Sequence, residues 1–583
     1  MALALGLGAV AGLAAPASAH ATLESTSPAN GTALPRSPGD VVLHFDEQVS
    51  VSPTSIEVFN ASAKRVDSGD TRHVPNDSHS VETAIPASLP AGGYVVTWRV
   101  VSADSHPVNG AFTFFIGAAT GAGAISSEAS RLLAQSSGSR TVGVTYGVMR
   151  FLAFVAVAVF LGGIVFVTLI WPEGAADPRA RRILWAGLIG LTVTTAAAFA
   201  LEGVYGAGLP LSSMLKTNVL QQVWDTRFGK AYAARLVFLA AGGVLLARVG
   251  TSRPSPRIRY VTAVATMGVA TLATWGLADH ASTGSLVWLA VPFDVVHLGA
   301  ASIWLGGLVM IIAVLLPGGG AGGDGDRRGV RDGLRRYSQW ALASVIAIVA
   351  TGVFAGWRQI GVSWGALTTT PYGKLVLYKA GGLVVLVALA SVSRTSVHGD
   401  LAVPGTRQRG RSLDSVGAGS GRAPRPVGAD VAVVPPTYGP SRLRRAVAAE
   451  IVVVLVVLAL SALLVNARPA KQAYAAPFST EVKAGPTLVN VVVDPAKAGP
   501  LALHLYILTS AGLIDDVPEV NASMSNAAAG ISGLKVPIQP AGPGHYVAYG
   551  FDVPIAGTWT INVVVRTDNI DDYFADPITV HIR

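Results

Sequence analysis

The stretch "VPFDVVHLGAASIWLGGLVMIIAVLL", residues 291–316, decides the architecture. Its only ionisable side chains are Asp294 and His297, and nearly everything else is apolar or small. About 20 such residues cross a bilayer as a helix. The segment, taken from 286 to 316, therefore reads as a transmembrane span long enough to tilt or to begin at the interface. Seven more segments of this kind lie at about 144–170, 183–204, 230–248, 260–279, 337–358, 374–393 and 446–466. With 51% hydrophobic and only 13% charged residues, and a mean hydropathy of +0.49, the chain reads as an integral membrane protein and not a soluble enzyme.

Arginine sets the orientation. The connections 171–182, 248–259, 317–336 and 394–445 hold 3, 4, 5 and 9 arginines and no lysine. The opposite connections, 205–228, 280–285 and 359–373, hold only Lys216 and Arg227. Basic loops stay cytoplasmic, so eight spans put both terminal domains outside the cell membrane. The net charge of +9 then follows from topology and calls for no nucleic-acid partner.

Residues 1–19 read as a signal peptide: an apolar run ends in Ala17-Ser18-Ala19, the small-x-small form that export peptidases cut. Cleavage there makes His20 the first residue of the mature chain. Residues 20–118 alternate in runs such as "DVVLHF", "GYVVTWRV" and "AFTFFIG", the signature of a β-sandwich or barrel. A Gly/Ser/Ala-rich linker, 119–142, leads to the membrane region, whose first seven spans fall within 143–393. The loop 394–445, rich in Gly, Pro, Ser and Arg, reads as cytoplasmic and disordered, and precedes the eighth span. Residues 470–583 alternate again and read as a second extracytoplasmic β-sandwich.

Inside the membrane region "FLGGIV" (160–165) matches "WLGGLV" (304–309), and "TRFGKAYAAR" (226–235) matches "TPYGKLVLYK" (370–379). Both matches share an offset of 144 residues, which predicts a 4+4 duplication of parallel topology, with a substrate path at the interface of the halves.

The chain has no cysteine, which excludes thiolate metal sites, iron–sulfur clusters and disulfides. A terminal histidine offers its α-amine and Nδ1 as a chelate, and the amine, with a pKa near 8, loses its proton readily to a strong metal. Cu(II) binds nitrogen sites most strongly among divalent first-row ions and favours tetragonal geometry. Asp104 and His106, in "RVVSADSHPVNG", are two apart, so an extended segment turns both to one side. Taken alone, Asp-x-His is more often two solvated side chains than a ligand pair.

"HATLESTSPANGTALPRSPGDVVLHFDEQV" followed by "GGYVVTWRVVSADSHPVNGAFTFFIG" resembles the copper-binding family CopC. The resemblance implies a cupredoxin-like Greek-key barrel that binds Cu(II) through His20, Asp104 and His106. Glu47 matches a carboxylate that some members place near the metal. Residues 20–120 hold no Met, unlike Met-rich members, which argues against a separate soft Cu(I) site. The membrane region resembles the partner family CopD through "HLGAASIWLGGL" (297–308) and "YGKLVLYKAGGL" (372–383), and the tail resembles YtkA-like domains.

Ionisable residues in a membrane point to function. Asp294 and His297 are three apart and share a helix face. Arg150 stands at the position equivalent to Asp294, which predicts an Arg150–Asp294 pair across the repeat and leaves His297 to meet the ion. Asp279, His280 and Glu202 read as an entrance. His73 and His79 read as an exposed loop, His44 as a surface residue, and His504, His545 and His581 as scattered.

The leading function is copper import by a non-enzymatic protein, with copper sequestration, the bundle serving only as an anchor, as the alternative. A copper oxygenase would keep its metal plane open where Asp104 binds. A membrane cytochrome would need paired axial histidines, and only His280 and His297 offer themselves, at different depths. The phosphate-binding loop of an ATP-driven pump is absent. Expected partners are the copper ion, the bilayer and an extracytoplasmic copper chaperone.

Overall fold

The computed structural model describes residues 21, 23–28, 32–103, 106–117, 131, 139–248, 257–283, 286–318, 324–399, 440–467, 469–474, 478–510, 515–542, 544–568 and 570–583. The signal segment with His20, Asp104, most of the 119–142 linker and most of the 394–445 loop lie outside the described residues.

In the N-terminal domain the alternating runs become strands β1 (Leu23–Ser27), β2 (Ala33–Leu34), β3 (Asp40–Phe45), β4 (Ile56–Asn60), β5 (Arg72–Val74), β6 (Asp77–Ala84), β7 (Gly92–Val101) and β8 (Pro107–Ile116). They form two four-stranded sheets, ordered β1-β3-β6-β5 and β2-β8-β7-β4. Val41, Leu43 and Phe45 point inward from β3 while their neighbours do not, the period-2 pattern of a half-buried strand. Phe45 meets Trp98 edge to face at 5.4 Å between centroids. Opposite Trp98 on β8 is Gly110, where a Cβ would lie 2.5 Å from the indole. That glycine lets the tryptophan lie flat over β8. His73 and His79 lie on β5 and β6, not in a loop: the turn between these strands is shorter than the polar run suggests.

Among the described residues eight helices are long and apolar enough to cross a membrane: Arg140–Ile170, Pro178–Ala207, Arg227–Ala247, Arg259–Ala278, Val287–Leu315, Gly329–Ile360, Pro371–Ser391 and Arg444–Val465. The first and fifth cross at the matched glycines. A Cβ on Gly162 would overlap the Ser302 carbonyl, and one on Gly306 would lie 2.7 Å from the Gly162 Cα. Lipid tails are as apolar as leucine, so helices in a bilayer associate through close backbone approach of this kind. Both spans also widen into π-helical turns, at Ala158–Gly162 and Phe166–Ile170 in the first and Ile311–Leu315 in the fifth.

The second matched pair adopts one local geometry as well. Thr226 caps the third span, its hydroxyl accepting from Gly229 N at 3.0 Å and donating to the Val223 carbonyl at 2.6 Å. Thr370 does the same for the seventh, accepting from Gly373 N at 3.0 Å and donating to the Ala366 carbonyl at 2.6 Å. A short helix precedes each cap, Thr217–Asp225 and Trp364–Thr369.

The C-terminal domain contributes β9 (Phe478–Ala484), β10 (Thr487–Asp494), β11 (Gly499–Thr509), β12 (Glu519–Asn526), β13 (Ile531–Val536), β14 (Gln539–Gly542), β15 (His545–Val553), β16 (Gly557–Arg566), β17 (Asp572–Phe574) and β18 (Ile578–Ile582). One sheet is ordered β14-β15-β11-β10-β9 and the other β13-β12-β16-β17, with β18 also on β16. Their inner faces enclose a core around the fully buried Trp559, and Met524 is part of that core.

Candidate functional site

The loop between β7 and β8 is held at both ends. Ser102 takes the His106 carbonyl through its amide and its hydroxyl, both at 2.9 Å. Glu47 accepts from the Ala103 amide at 3.2 Å, so this carboxylate holds the chain just before the Asp-x-His motif.

His106 itself is buried, 5% exposed, because it stands on the membrane bundle. Its Nε2 lies 2.6 Å from the carbonyl of Val465, the last residue of the eighth span. A carbonyl only accepts, so Nε2 carries the proton. Arg99 makes the second anchor. Its Nε donates to the Gly206 carbonyl at 2.7 Å and its Nη2 to the Tyr205 carbonyl at 2.8 Å. These carbonyls end the second span, where the helix dipole favours a cation.

Beneath His106 lies a connected polar cluster. Tyr146 donates to Glu202 Oε2 at 2.5 Å, and His106 is within electrostatic reach of the same carboxylate. Arg150 stacks on the Tyr146 ring at 4.6 Å, donates to the Tyr146 hydroxyl at 3.2 Å and to Asn466 Oδ1 at 2.9 Å. Asn466 directly follows the residue that His106 touches. Glu202, expected as an entrance residue, is thus buried and already bound to Tyr146. Arg150, Thr194, Thr195, Arg235 and Asp279 line a cavity of about 20 Å³, a size that accommodates a water. Arg235 donates to Thr274 at 2.8 Å and lies over the Trp275 ring at 3.5 Å.

The expected Arg150–Asp294 pair is not formed. Arg150 is committed to Tyr146 and Asn466, whereas Asp294 faces Lys379 and Arg358. The reason is which cations stand near Asp294: Lys379, 144 residues after Arg235, and Arg358 lie within its electrostatic reach, whereas Arg150 does not. Asp279 joins the two clusters, within electrostatic reach of Arg150 and Glu202 on one side and of Asp294 on the other. The adjoining loop is held by Arg358 on the Thr283 carbonyl at 2.6 Å and by Arg227 on the Ser282 carbonyl at 3.4 Å. His280 opens that loop in a single turn, His280–Ser282.

His297 lies deeper. Its Nδ1 is 2.8 Å from the Thr351 hydroxyl, which in turn bonds the Ala347 carbonyl at 2.6 Å. Because that carbonyl takes the hydroxyl proton, Thr351 accepts from His297 Nδ1–H, and Nε2 keeps its lone pair. Toward the opposite end of the bundle Tyr337 donates to the Trp304 carbonyl at 2.7 Å and faces the buried Glu450.

Tyr146, Asn466, Thr351, Arg235, Lys379 and Glu450 were not singled out from the sequence. The signal for Arg235 and Lys379 was present, since they end the two matched motifs, and Glu450 is a carboxylate inside an apolar run. Tyr, Asn and Thr carry no such signal.

A small all-β domain held by Arg99 and His106 on a bundle of membrane-length helices with buried charges defines a multi-pass membrane protein with a β-domain docked on one end of its bundle. Residues 23–117 match the CopC domain, 141–288 the Copper resistance protein D-like N-terminal domain, and 332–464 Copper resistance protein D. Copper transport protein CutJ of Bacillus subtilis (strain 168) is 28% identical over 381 residues, 64% of this chain and 67% of that protein. Copper resistance protein C of Escherichia coli is 33% identical over 19% of this chain and 90% of its own length. The crystal structure of CopC from Methylosinus trichosporium OB3b is 28% identical over 17% of this chain and 93% of its own, with a TM-score of 0.15. The chain belongs to the CopC–CopD family of copper resistance and copper transport proteins, with both domains fused in one polypeptide.

Proposed function

We propose that the N-terminal domain captures Cu(II) outside the cell membrane through His20, Asp104 and His106, and that the bundle carries copper inward. The observation that carries this reading is the contact between His106 and the end of the eighth span. A capture motif whose histidine touches the bundle above Glu202, Tyr146, Arg150 and Asn466 needs no long diffusion to hand over its ion. From there the route runs past Asp279 and Asp294 to His297, whose Nε2 lone pair suits copper, and on toward Glu450. We take the shared geometry at Gly162/Gly306 and Thr226/Thr370 as support for the 4+4 duplication, with the path between the halves. The arginine-rich connections between the spans support their assignment to the cytoplasmic side.

The test is cellular copper content with and without expression, measured by mass spectrometry. Import raises it, and His106→Ala and His297→Ala each return it to the level of cells lacking the protein. If expression leaves copper unchanged while protecting growth, the bundle is an anchor and the protein sequesters copper.

A further inference from the structure

The C-terminal domain unites two histidines that the sequence separates by 41 residues. On paired strands β11 and β15, Tyr506 stands opposite His545 and His504 opposite Val547, so the two imidazoles are diagonal neighbours. Leu503, Leu505 and Ile507 enter the core, which leaves His504 and Tyr506 on the other face. His504 Nδ1 lies 3.1 Å from His545 Nε2. Tyr506 stacks on the His545 ring at 4.4 Å between centroids, and Tyr549 meets His504 edge-on at 5.7 Å, fixing both ring planes.

We propose that His504 and His545 form a two-imidazole copper site on the C-terminal domain, separate from the N-terminal capture motif. With metal–nitrogen bonds of about 2.0 Å, two imidazole nitrogens stand ~2.8 Å apart in cis positions and ~4 Å apart in a linear arrangement. The observed separation falls between these limits, so small ring movements admit an ion. Burial lowers the pKa of both imidazoles, and His504 helps to push His545 down to about 4. Both are therefore neutral at physiological pH, the form that ligates metals. Imidazole suits several transition metals, and the choice of copper rests on the reading of the whole chain as a copper protein. Among the described residues no third His or carboxylate completes the site. Water or an incoming donor fills the remaining positions, which makes the site suited to exchange and not to storage.

The test is equilibrium dialysis of the metal-free full-length protein in detergent against Cu(II). Wild type binds one equivalent more than His504→Gln/His545→Gln, while His106→Ala loses a different equivalent. Equal stoichiometry in wild type and the double variant overturns the site and leaves the import reading standing. A second measurement needs no variant: Cu(II) protects His504 and His545 from carbethoxylation by diethylpyrocarbonate, read residue by residue by mass spectrometry. Unprotected histidines in the copper-loaded chain equally overturn it.

Discussion

His297 is useful to an ion only if its protonated nitrogen is occupied elsewhere, and Thr351 supplies that partner. Groups that orient a ligating histidine typically matter by about 10–100-fold in affinity or activity. Thr351→Val, which keeps the shape and removes the acceptor, should therefore cut copper uptake by about 10-fold or more. Thr351→Ser should retain most of it, and an unchanged rate in the valine variant would separate His297 from the path. The same logic explains what was legible at this scale. Arg150, Glu202, Asp279, Asp294 and His297 stand out in sequence because charge and imidazole are costly in lipid. Their partners Tyr146, Thr351 and Asn466 are ordinary residue types, and only three-dimensional packing selects them. The false Arg150–Asp294 pair has the same origin: an offset relates positions in sequence, whereas pairing depends on which side chains packing brings together.

Helices one and five meet where side chains are absent. A Cβ at Gly306 would overlap the Ala158 carbonyl oxygen, backbone that cannot rotate aside. Overpacking of this kind costs about 1–3 kcal/mol. Gly306→Ala should thus lower the thermal midpoint of the detergent-solubilised protein, followed by loss of the monodisperse chromatographic peak. Gly356→Ala is the control, because nothing lies within 4 Å of a Cβ there. Equal midpoints for the two variants would show that the crossing relaxes freely. The repeated "LGG" was readable as a motif, and the number of spans followed from hydropathy. The crossing itself and the π-helical turns beside it were not, since neither leaves a periodic trace in composition.

At the scale of the molecule the question is whether capture and conduction are coupled through the docking of one domain on the other. Arg99 provides a way to ask it without touching a proposed ligand. Its guanidinium is buried between the domains and donates to the last carbonyls of the second span, and Gly208 ends that helix with φ of 70°, where a Cβ would lie 3.3 Å from the Arg99 side chain. Removing the side chain leaves those carbonyls without their donor and frees the domain to move away on its tether. A tethered but undocked domain still presents copper at an effective concentration near millimolar, so transfer should slow and not vanish. Arg99→Ala is accordingly expected to leave Cu(II) stoichiometry at the N-terminal domain unchanged while copper uptake falls about 10-fold, a split that His106→Ala, which loses both, cannot produce. Dialysis and uptake measured on the same preparations read the two quantities separately. Undiminished uptake in Arg99→Ala would mean that the docked arrangement is one of several through which copper reaches the bundle, and that His106 acts as a ligand alone and not as a hinge between capture and passage.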